Sequence, residues 1–430
     1  MRTFEIGLLG CGQIGSAVFS LLKRKTRTLA EQTGGVFKIA GVSVRHFRKT
    51  RSVRIPTSLL VSAQALVRDP RIDLVVELIG GTEIARKLVL ASLRNGKDVV
   101  TANKALLAEH GDEIFSLAER NGRQVFFEAS VGGGIPIIKT LREGLVANRI
   151  DSIYSIINGT SNYILSEMSQ RHIDFKEALS LAQQKGYAEA DPTLDIEGTD
   201  AAHKLAILAR LAFSARFPFR KINCEGISQI RNEDIAFAEE FGYRIKLLAI
   251  AKRNRDGIEA RVEPALLPQN HILSNVGGSF NAILLGGDEV GEILLYGKGA
   301  GPEPTASAVV SDLVDWARGL SAESHSRGLS NSVKSVKIKN VSAILSRYYL
   351  RFHVFDKPGV LSKISNILGR HGISISDVIQ KERKVGGVVP LILLTHDSPE
   401  GELRETIRQI DRLDVAKGKS QVLRIEGELR

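Results

Sequence analysis

Hydrophobic and polar positions alternate with two different periods along the first part of the chain. A short apolar strand is predicted at 4–9, and helical stretches, one of them at 113–121, then alternate with further apolar strands as far as residue 127. Strands that alternate with helices are typical of a doubly wound parallel sheet, so this part predicts an α/β domain. Residues 150–157 alternate like a half-buried strand, and the pattern of 222–268 is mixed, with a buried-looking run at 244–251 and a strand around 258–262.

The C-terminal part has a smaller pattern of its own. Residues 321–345 are rich in Ser and Lys and poorly patterned, which predicts a linker. Beyond them the order of predicted elements is β-α-β-β-α-β, which describes a ferredoxin-like module at 346–430. The remaining predicted bounds are 1–135 for the first domain, completed by about 300–320, and 136–300 for the second.

The helix predicted at 201–213 is apolar on nearly every side, so we expect it to be buried. Lys204 interrupts this pattern, and Asp200 lies four residues earlier, where it can face the lysine. Burial lowers the pKa of a lysine and nearby carboxylates raise it, so such an amine can exchange a proton near neutral pH. The alternative is a lysine whose amine extends to solvent. Other acids crowd the preceding segment: Glu189, Asp191, Asp195 and Glu197.

Three glycines at Gly10, Gly12 and Gly15 follow the first strand and precede a helix. This G-x-G-x-x-G spacing in this context indicates a Rossmann-type dinucleotide site. The first glycine allows a tight turn, and the second lets a pyrophosphate approach the helix N-terminus. The third lets helix and strand pack closely.

The second strand is predicted to end beside the adenosine ribose. NAD enzymes usually place an acid there, whereas this chain places Arg45, followed by more basic residues. A guanidinium suits a 2′-phosphate, so the sequence favours NADP over NAD. The alternative is a solvated basic loop.

Two later stretches add candidate ligands. Thr101, Asn103 and Lys104 follow a predicted strand, at the edge where open α/β sheets bind ligands, although Lys104 also fits a helix-capping surface residue. Glu128 precedes three consecutive glycines, and one carboxylate with several carbonyls suits a hard cation. A hinge between domains is the alternative for these glycines. A second glycine cluster at 297–301 starts another helix, which we expect to return to the nucleotide-binding layer.

Composition narrows the class of protein. The 430 residues carry a formal charge of +11, but the basic residues are dispersed and no nucleic-acid motif accompanies them, so we expect anionic small ligands instead. No stretch is long and apolar enough for a membrane span. Two cysteines are too few for a disulfide framework, which favours a reducing cytoplasm.

Together these segments resemble a homoserine dehydrogenase with a C-terminal ACT domain. The motifs that carry the resemblance are GLLGCGQIGSAV, TANKALLA, FEASVGGGIPIIKTL, NGTSNYIL, GYAEADPTLDIEGTDAAHKLAIL, YGKGAGPEPTASAV and DKPGVL. The resemblance implies reversible NAD(P)-dependent interconversion of L-homoserine and L-aspartate 4-semialdehyde in threonine and methionine biosynthesis. It also implies a fold of three parts: a Rossmann domain, an α+β substrate and dimerisation domain, and the ACT module.

The resemblance further implies roles for individual residues. Lys204 would carry the proton at the substrate oxygen, with Lys104 as a second candidate. The substrate would be held by Glu189, Asp195, Asp200 and Thr160. A sodium ion would be held by Glu128 and the carbonyls of Val131, Gly133 and Ile135. Besides the three glycines, the cofactor would be contacted by Gln13, Ile14, Arg45, Lys104 and Gly301.

Regulation and assembly are also implied by the resemblance. Threonine is the expected effector of the ACT domain, and a homodimer or homotetramer is the expected assembly, although an ACT domain that serves only oligomerisation stays open. Two other functions remain as alternatives: a different amino-acid dehydrogenase acting on aspartate, and a non-catalytic amino-acid sensor. The acids and the lysine of the 186–213 stretch argue against a sensor, because a sensor needs no general acid.

Overall fold

The computed structural model describes residues 2–46, 50–321, 334–381 and 387–427. Residues 322–333 of the predicted linker therefore lie outside the described residues. The strands, in chain order, are β1 (Arg2–Leu9), β2 (Gly35–Ser43), β3 (Leu74–Glu77), β4 (Asp98–Thr101), β5 (Val125–Phe126), β6 (Ile150–Ile156), β7 (Ala215–Arg216), β8 (Asn223–Cys224), β9 (Tyr243–Asn254), β10 (Gly257–Pro268), β11 (Phe280–Gly287), β12 (Gly291–Lys298), β13 (Lys334–Ser335), β14 (Leu345–Phe355), β15 (Ile375–Ile379), β16 (Val388–Thr395), β17 (Ser398–Pro399) and β18 (Gln421–Ile425). The helices are α1 (Gln13–Arg24), α2 (Thr26–Thr33), α3 (Ala63–Arg68), α4 (Glu83–Arg94), α5 (Lys104–Arg120), α6 (Ile137–Lys139), α7 (Gly159–Arg171), α8 (Phe175–Gln184), α9 (Thr193–Ile196), α10 (Thr199–Phe213), α11 (Asn232–Glu240), α12 (Pro302–Ser321), α13 (Val360–Arg370) and α14 (Glu400–Ile410).

The chain divides into two compact units, each made of three segments. The first contains Met1–Asp151, Asp200–Lys221 and Asn281–Val336, and the second contains Ser152–Thr199, Ile222–Phe280 and Lys337–Arg430. These segments do not follow the domain bounds that the sequence predicts, and those bounds stay a prediction.

The first unit is built on a five-stranded sheet in the order β2-β1-β3-β4-β5, and every neighbouring pair is parallel. The helices between successive strands make the crossovers that parallel pairing requires. The predicted doubly wound nucleotide-binding sheet is therefore confirmed.

Helix α12 completes the core of the first unit, although it lies far from β1 in the sequence. The Trp316 ring of α12 packs edge-on against Phe4 of β1, with the ring centroids 5.5 Å apart. The Trp316 indole N–H donates a hydrogen bond to Asp98 Oδ2 at 2.9 Å, so its polar atom is satisfied in the core. These contacts tie the 302–321 helix to the parallel sheet.

Helix α5 is longer than the sequence predicts. The sequence predicts a helix at 113–121, which is only the C-terminal half of α5. The structure extends the helix back to Lys104 because the Asn103 side chain accepts a hydrogen bond from Leu106 N–H at 3.1 Å and caps the first turn. Lys104 is thus the first residue of a helix.

The second unit contains a sheet in the order β6-β9-β10-β18-β14-β16-β15. Strands β10 and β18 pair in parallel, and the other neighbouring pairs are antiparallel. Within it, β18-β14-β16-β15 with helices α13 and α14 forms the predicted ferredoxin-like β-α-β-β-α-β module. The module therefore continues the sheet that β9 and β10 begin.

Strands β9 and β10 are both longer than the sequence predicts, because the pattern of 222–268 indicates only a buried-looking run at 244–251 and a strand around 258–262. Each is a strand of 12 residues. Charged residues interrupt the apolar pattern of β10, and the structure buries them in ion pairs with β18. Arg261 pairs with Glu426, and Glu263 accepts hydrogen bonds from Arg261 at 2.7 Å and Arg424 at 2.6 Å.

No helix in the described part of the chain combines the length and the apolar character that crossing a membrane requires.

Candidate active site

The glycine turn after β1 has the geometry of a dinucleotide site. Gly10 adopts φ +96°, and a Cβ there would lie 2.6 Å from the Leu78 carbonyl oxygen. A Cβ on Gly15 would lie 2.4 Å from the Gly10 carbonyl oxygen, whereas nothing lies within 4 Å of a Cβ on Gly12. The turn is thus closed where helix and strand meet and open where a pyrophosphate would approach the N–H groups of α1. The residues of the turn therefore fit the pyrophosphate of a dinucleotide. Gln13 and Ile14 are the first two residues of α1.

The basic segment after β2 reaches the same turn. Arg45 is exposed just beyond β2. The Arg51 Nε donates a hydrogen bond to the Cys11 carbonyl at 3.0 Å, and its Nη2 donates to the His46 carbonyl at 2.6 Å. Arg51 therefore contacts the glycine turn, while Arg45 lies exposed at the end of β2. The role of Arg51 at the glycine turn is missed by the sequence, which shows it only as one of several basic residues. The others, Arg48 and Lys49, lie outside the described residues.

The ends of β3 and β4 are tied together by a buried carboxylate. Glu77 Oε2 accepts a hydrogen bond from the Thr101 hydroxyl at 2.6 Å, and Glu77 Oε1 accepts one from Ile79 N–H at 2.8 Å. Asn103 donates through Nδ2 to the Gly81 carbonyl at 2.7 Å. These contacts hold the carboxyl edge of the sheet, where Lys104 begins α5. The sequence does not predict this role of Glu77, since a single acid at a strand end does not indicate which residues it will contact in the fold.

Asp200 brings the two candidate lysines together. The Lys204 Nζ donates to Asp200 Oδ2 at 2.7 Å, and the Lys104 Nζ lies 2.9 Å from Asp200 Oδ1. The Lys204 side chain is 9% exposed and that of Lys104 is 42% exposed. Burial acts to raise the pKa of Asp200, but the two ammonium groups outweigh it and hold that pKa well below the ordinary value. The predicted i,i+4 contact is present, and it joins a buried amine to an accessible one.

A second buried carboxylate lies where the sequence predicts a cation. Glu128 accepts backbone hydrogen bonds from Ile138 and Lys139, each at 2.8 Å, and its own N–H donates to Asp312 Oδ2 at 3.0 Å. Burial raises the pKa of Glu128, and burial together with the Glu128 charge raises the pKa of Asp312. Two acids are thus buried side by side. The sequence does not predict that Asp312 lies beside Glu128, because Asp312 belongs to α12, far along the chain.

The two glycine clusters of the first unit pack on each other beside these acids. A Cβ on Gly133 would lie 2.6 Å from the Gly299 carbonyl oxygen, and Gly134 N–H donates to the Lys298 carbonyl at 3.1 Å. Gly133 and Gly301 both have positive φ, +57° and +119°. In the described residues no group of three His, Cys, Asp or Glu side chains suits a metal ion. A cation here would therefore depend on Glu128 and on backbone carbonyls, which is the predicted donor set of Val131, Gly133 and Ile135.

The remaining predicted substrate residues belong to the second unit. Asp195 Oδ1 accepts a hydrogen bond from Asn158 Nδ2 at 2.7 Å, and the Thr160 hydroxyl lies 3.2 Å from Asp195 Oδ2. Asn158 also caps α7, through its Oδ1 and the Ser161 N–H at 2.8 Å. Glu189 is exposed. Asp195 and Thr160 are therefore brought together, with Asn158 as a member of the cluster that the sequence shows only as a turn residue.

Three family models match the chain. "Homoserine dehydrogenase, NAD binding domain" matches residues 10–128, "Homoserine dehydrogenase" matches 136–314, and "ACT domain" matches 348–412. A homoserine dehydrogenase of Pseudomonas aeruginosa is 43% identical over 432 residues, which cover 99% of each chain.

Solved structures give the same result. The structure of a homoserine dehydrogenase from Thiobacillus denitrificans is 47% identical with a TM-score of 0.94, and the match covers 99% of each chain. A hyperthermophilic archaeal homoserine dehydrogenase in complex with NADPH is 26% identical with a TM-score of 0.62, over 73% of this chain and 97% of the other. The glycine turn, the matching models and these relatives place the chain in the homoserine dehydrogenase family, oxidoreductases that act on the CH–OH group of homoserine, here with an NAD(P)-binding domain and a C-terminal ACT domain.

Proposed function

We propose that Lys204 carries the proton in the interconversion of L-homoserine and L-aspartate 4-semialdehyde. The observation that carries this role is the Asp200 carboxylate, which binds the buried Lys204 amine with one oxygen and the accessible Lys104 amine with the other. The carboxylate holds the Lys204 amine in place, and its protonated form would donate a proton to the alkoxide that forms on reduction of the aldehyde. In the oxidation direction the neutral amine accepts that proton. Lys104 is the alternative proton carrier.

The acids of the second unit are proposed to bind the substrate. Glu189 is exposed, and in the described part of the chain its carboxylate forms no ion pair, so its charge is available to a substrate ammonium. Asp195 and Thr160 would complete the polar groups around the amino-acid part of the substrate, and Asp200 would orient the two lysines. Binding of the ammonium fixes the position of the aldehyde, which is where positioning contributes to rate.

We assign the cofactor as NADP(H), which when bound supplies the hydride chemistry. Arg45 and Arg51 would receive the 2′-phosphate, because a planar guanidinium binds phosphate through two parallel hydrogen bonds. The archaeal relative in complex with NADPH supports this assignment. The N–H groups at Gly12 and Gln13 would receive the pyrophosphate, and Gly301 would approach the same ligand.

Sodium, threonine and self-association complete the proposal. A sodium ion bound by Glu128 and the carbonyls of Val131, Gly133 and Ile135 would favour the ionised form of Glu128, which burial disfavours by raising its pKa. Threonine would bind the ACT domain and inhibit the enzyme. Self-association to a homodimer or homotetramer would pair the ACT domains.

The deciding experiment follows NADPH absorbance during reduction of aspartate 4-semialdehyde by the full chain. We expect turnover with NADPH and a fall of about 10²–10⁴ in kcat for Lys204→Met. NADPH binding, measured by fluorescence titration, should be retained in that variant. Near-normal turnover in Lys204→Met, with a large loss in Lys104→Met, would transfer the role to Lys104. A chain that binds threonine but has no turnover would favour the sensor alternative.

A further inference from the structure

A cavity of about 400 Å³ lies within the second unit, apart from every residue assigned above. It is lined by helices α7 and α11, the start of β9 and the loop that follows β10. Its volume is in the range of small-ligand sites. The lining residues combine apolar and charged side chains: Leu165, Ser166, Ser169, Gln170, Ile235, Glu239, Arg244, Ile245, Lys246, Gln269, Ser274, Asn275 and Gly277.

Two cationic side chains, Lys246 and Arg244, line this cavity. The buried Lys246 amine donates to the Val276 carbonyl at 2.6 Å and lies 3.3 Å from Asn162 Oδ1. Arg244 Nη1 donates to Asn275 Oδ1 at 2.8 Å. Among the described residues no acid forms an ion pair with either side chain. A lysine is rarely buried unless it is paired, so the Lys246 amine, held here by neutral oxygens, is a candidate to bind an anion.

The Lys246 amine is also poised electrostatically to receive an anion. Burial, and to a smaller extent the neighbouring Arg244 charge, lowers the pKa of Lys246 to about 8. A bound carboxylate would restore the charged form, because an opposite charge within about 4–6 Å favours ionisation.

A carboxylate from a different element lines the same cavity. Glu239 of α11 accepts a hydrogen bond from the Ser169 hydroxyl of α7. Within the described ranges no cation forms an ion pair with Glu239. The cavity therefore offers two positive groups, one negative group and the apolar side chains of Leu165 and Ile235. A free α-amino acid carries the complementary set of one carboxylate, one ammonium and a side chain.

We propose that this cavity binds a free α-amino acid. Lys246 and Arg244 receive its carboxylate, and Glu239 receives its ammonium. The ligand side chain packs against Leu165 and Ile235. The site lies outside the matched ACT segment, so it is an amino-acid site additional to the one expected in the ACT domain.

Helix α11, which lines the cavity, also contacts the ACT module. Asp234, next to the cavity residue Ile235, accepts hydrogen bonds from Arg351 Nε at 2.6 Å and from the Tyr349 hydroxyl at 3.1 Å. Both of those residues belong to β14. A ligand bound between α7 and α11 would thus contact a helix that is hydrogen-bonded to the ACT module.

The test is calorimetric titration of the full chain with each of the twenty proteinogenic L-amino acids in turn. Potassium acetate and potassium phosphate serve as simple-anion probes. We expect at least one amino acid to bind, and to bind about 10- to 100-fold more weakly in Lys246→Met, Arg244→Gln and Glu239→Gln, since each variant removes a charge-assisted hydrogen bond. Lys176→Met removes an exposed lysine of the same unit and should leave the affinity unchanged.

Three results would overturn the proposal. The first is amino-acid binding that none of the three variants weakens, as expected for the ACT domain alone. The second is binding of acetate or phosphate with no amino acid bound, which would make the cavity a simple anion site. The third is no binding of any probe, which would leave Lys246 as a structural tie to the 274–278 loop. If Lys246→Met does not fold, as judged by circular dichroism, the half-buried Arg244 and Glu239 variants decide the matter.

Discussion

The Asp200 carboxylate accepts a hydrogen bond from the Lys204 amine at 2.7 Å, one helical turn further along α10. Because its other oxygen binds Lys104 at 2.9 Å, a single buried charge orients both candidate proton carriers. Asp200→Asn keeps the size of the side chain and removes that charge. We expect kcat to fall by about 10²-fold as the amines lose their fixed positions.

The same substitution should change the pH dependence of the reaction. Asp200 and the two ammonium groups stabilise one another's charges, which is why the pKa of Asp200 lies well below its ordinary value, so removal of the carboxylate should move the basic limb of the kcat/KM profile to lower pH. Asp191→Asn is the matched control, because Asp191 is exposed and accepts hydrogen bonds only from Thr193 in the described residues. An Asp200→Asn profile that overlays that of the unmodified chain would show that Asp200 has no such role.

Cofactor preference should depend on the two guanidinium groups near the glycine turn. Arg45→Ala and Arg51→Ala each remove a cation proposed to bind the 2′-phosphate, so the KM for NADPH should rise about 10-fold or more while the KM for NADH changes little. Steady-state assays with both nucleotides measure this. Arg27→Ala, which removes an exposed arginine of α2, should change neither value. An equal rise in both KM values would mean that these residues do not distinguish NADPH from NADH by its 2′-phosphate.

Sodium should stabilise the chain through Glu128. If a sodium ion binds the native state, saturation at about 100 times its Kd raises the free energy of unfolding by about 2.7 kcal/mol. Thermal unfolding in sodium chloride should therefore occur at a higher Tm than in choline chloride of the same ionic strength. Glu128→Gln should abolish the difference, and Glu143→Gln, at an exposed acid, should keep it. A Tm that does not depend on the cation in the unmodified chain would argue against the site.

Acid should weaken the second unit through Glu263. Burial acts to raise the pKa of this carboxyl, but Arg261 and Arg424 lower it to about 2 from the ordinary 4.5. Since the folded-state pKa is depressed, the stabilisation is fully present above pH 4.5 and is lost as the pH falls towards about 2. Urea unfolding across this interval should show a shallower loss of stability in Glu263→Gln than in the unmodified chain. Equal slopes would contradict the assignment.

Threonine inhibition should depend on the Gly359 turn of the ACT module. Gly359 has φ +84°, which a β-branched residue adopts only at a cost, so Gly359→Val should distort the turn and raise the threonine concentration for half-inhibition by about 10-fold. Gly418→Val is the matched control, because Gly418 is a glycine of the same module with φ +79°. A point substitution is preferable to removing residues 345–430, since that deletion would leave Arg261 and Glu263 without their β18 partners.

What the sequence predicts depends on how far apart the interacting residues lie. The Asp200–Lys204 contact is predictable because helical spacing alone brings the two side chains to one face. The alternation of strands and helices likewise predicts the parallel sheet. Asp312 is not predictable, since its partner Glu128 lies 184 residues away. The length of strand β10 is not predictable for the same reason. Its buried Arg261 resembles a surface residue, because its partner Glu426 lies 165 residues later in the sequence.

Strand β18 occupies an inner position, between β10 and β14, although it follows both in the sequence. During synthesis on the ribosome, residues 257–268 and 345–355 emerge well before the strand that separates them. Until residues 421–425 emerge, the strand that joins β10 to β14 is absent, and incompletely paired strand edges of this kind favour mispairing between neighbouring chains. Closure of this sheet is therefore a late step in biogenesis, and the parallel β10–β18 seam fixes when the second unit is complete.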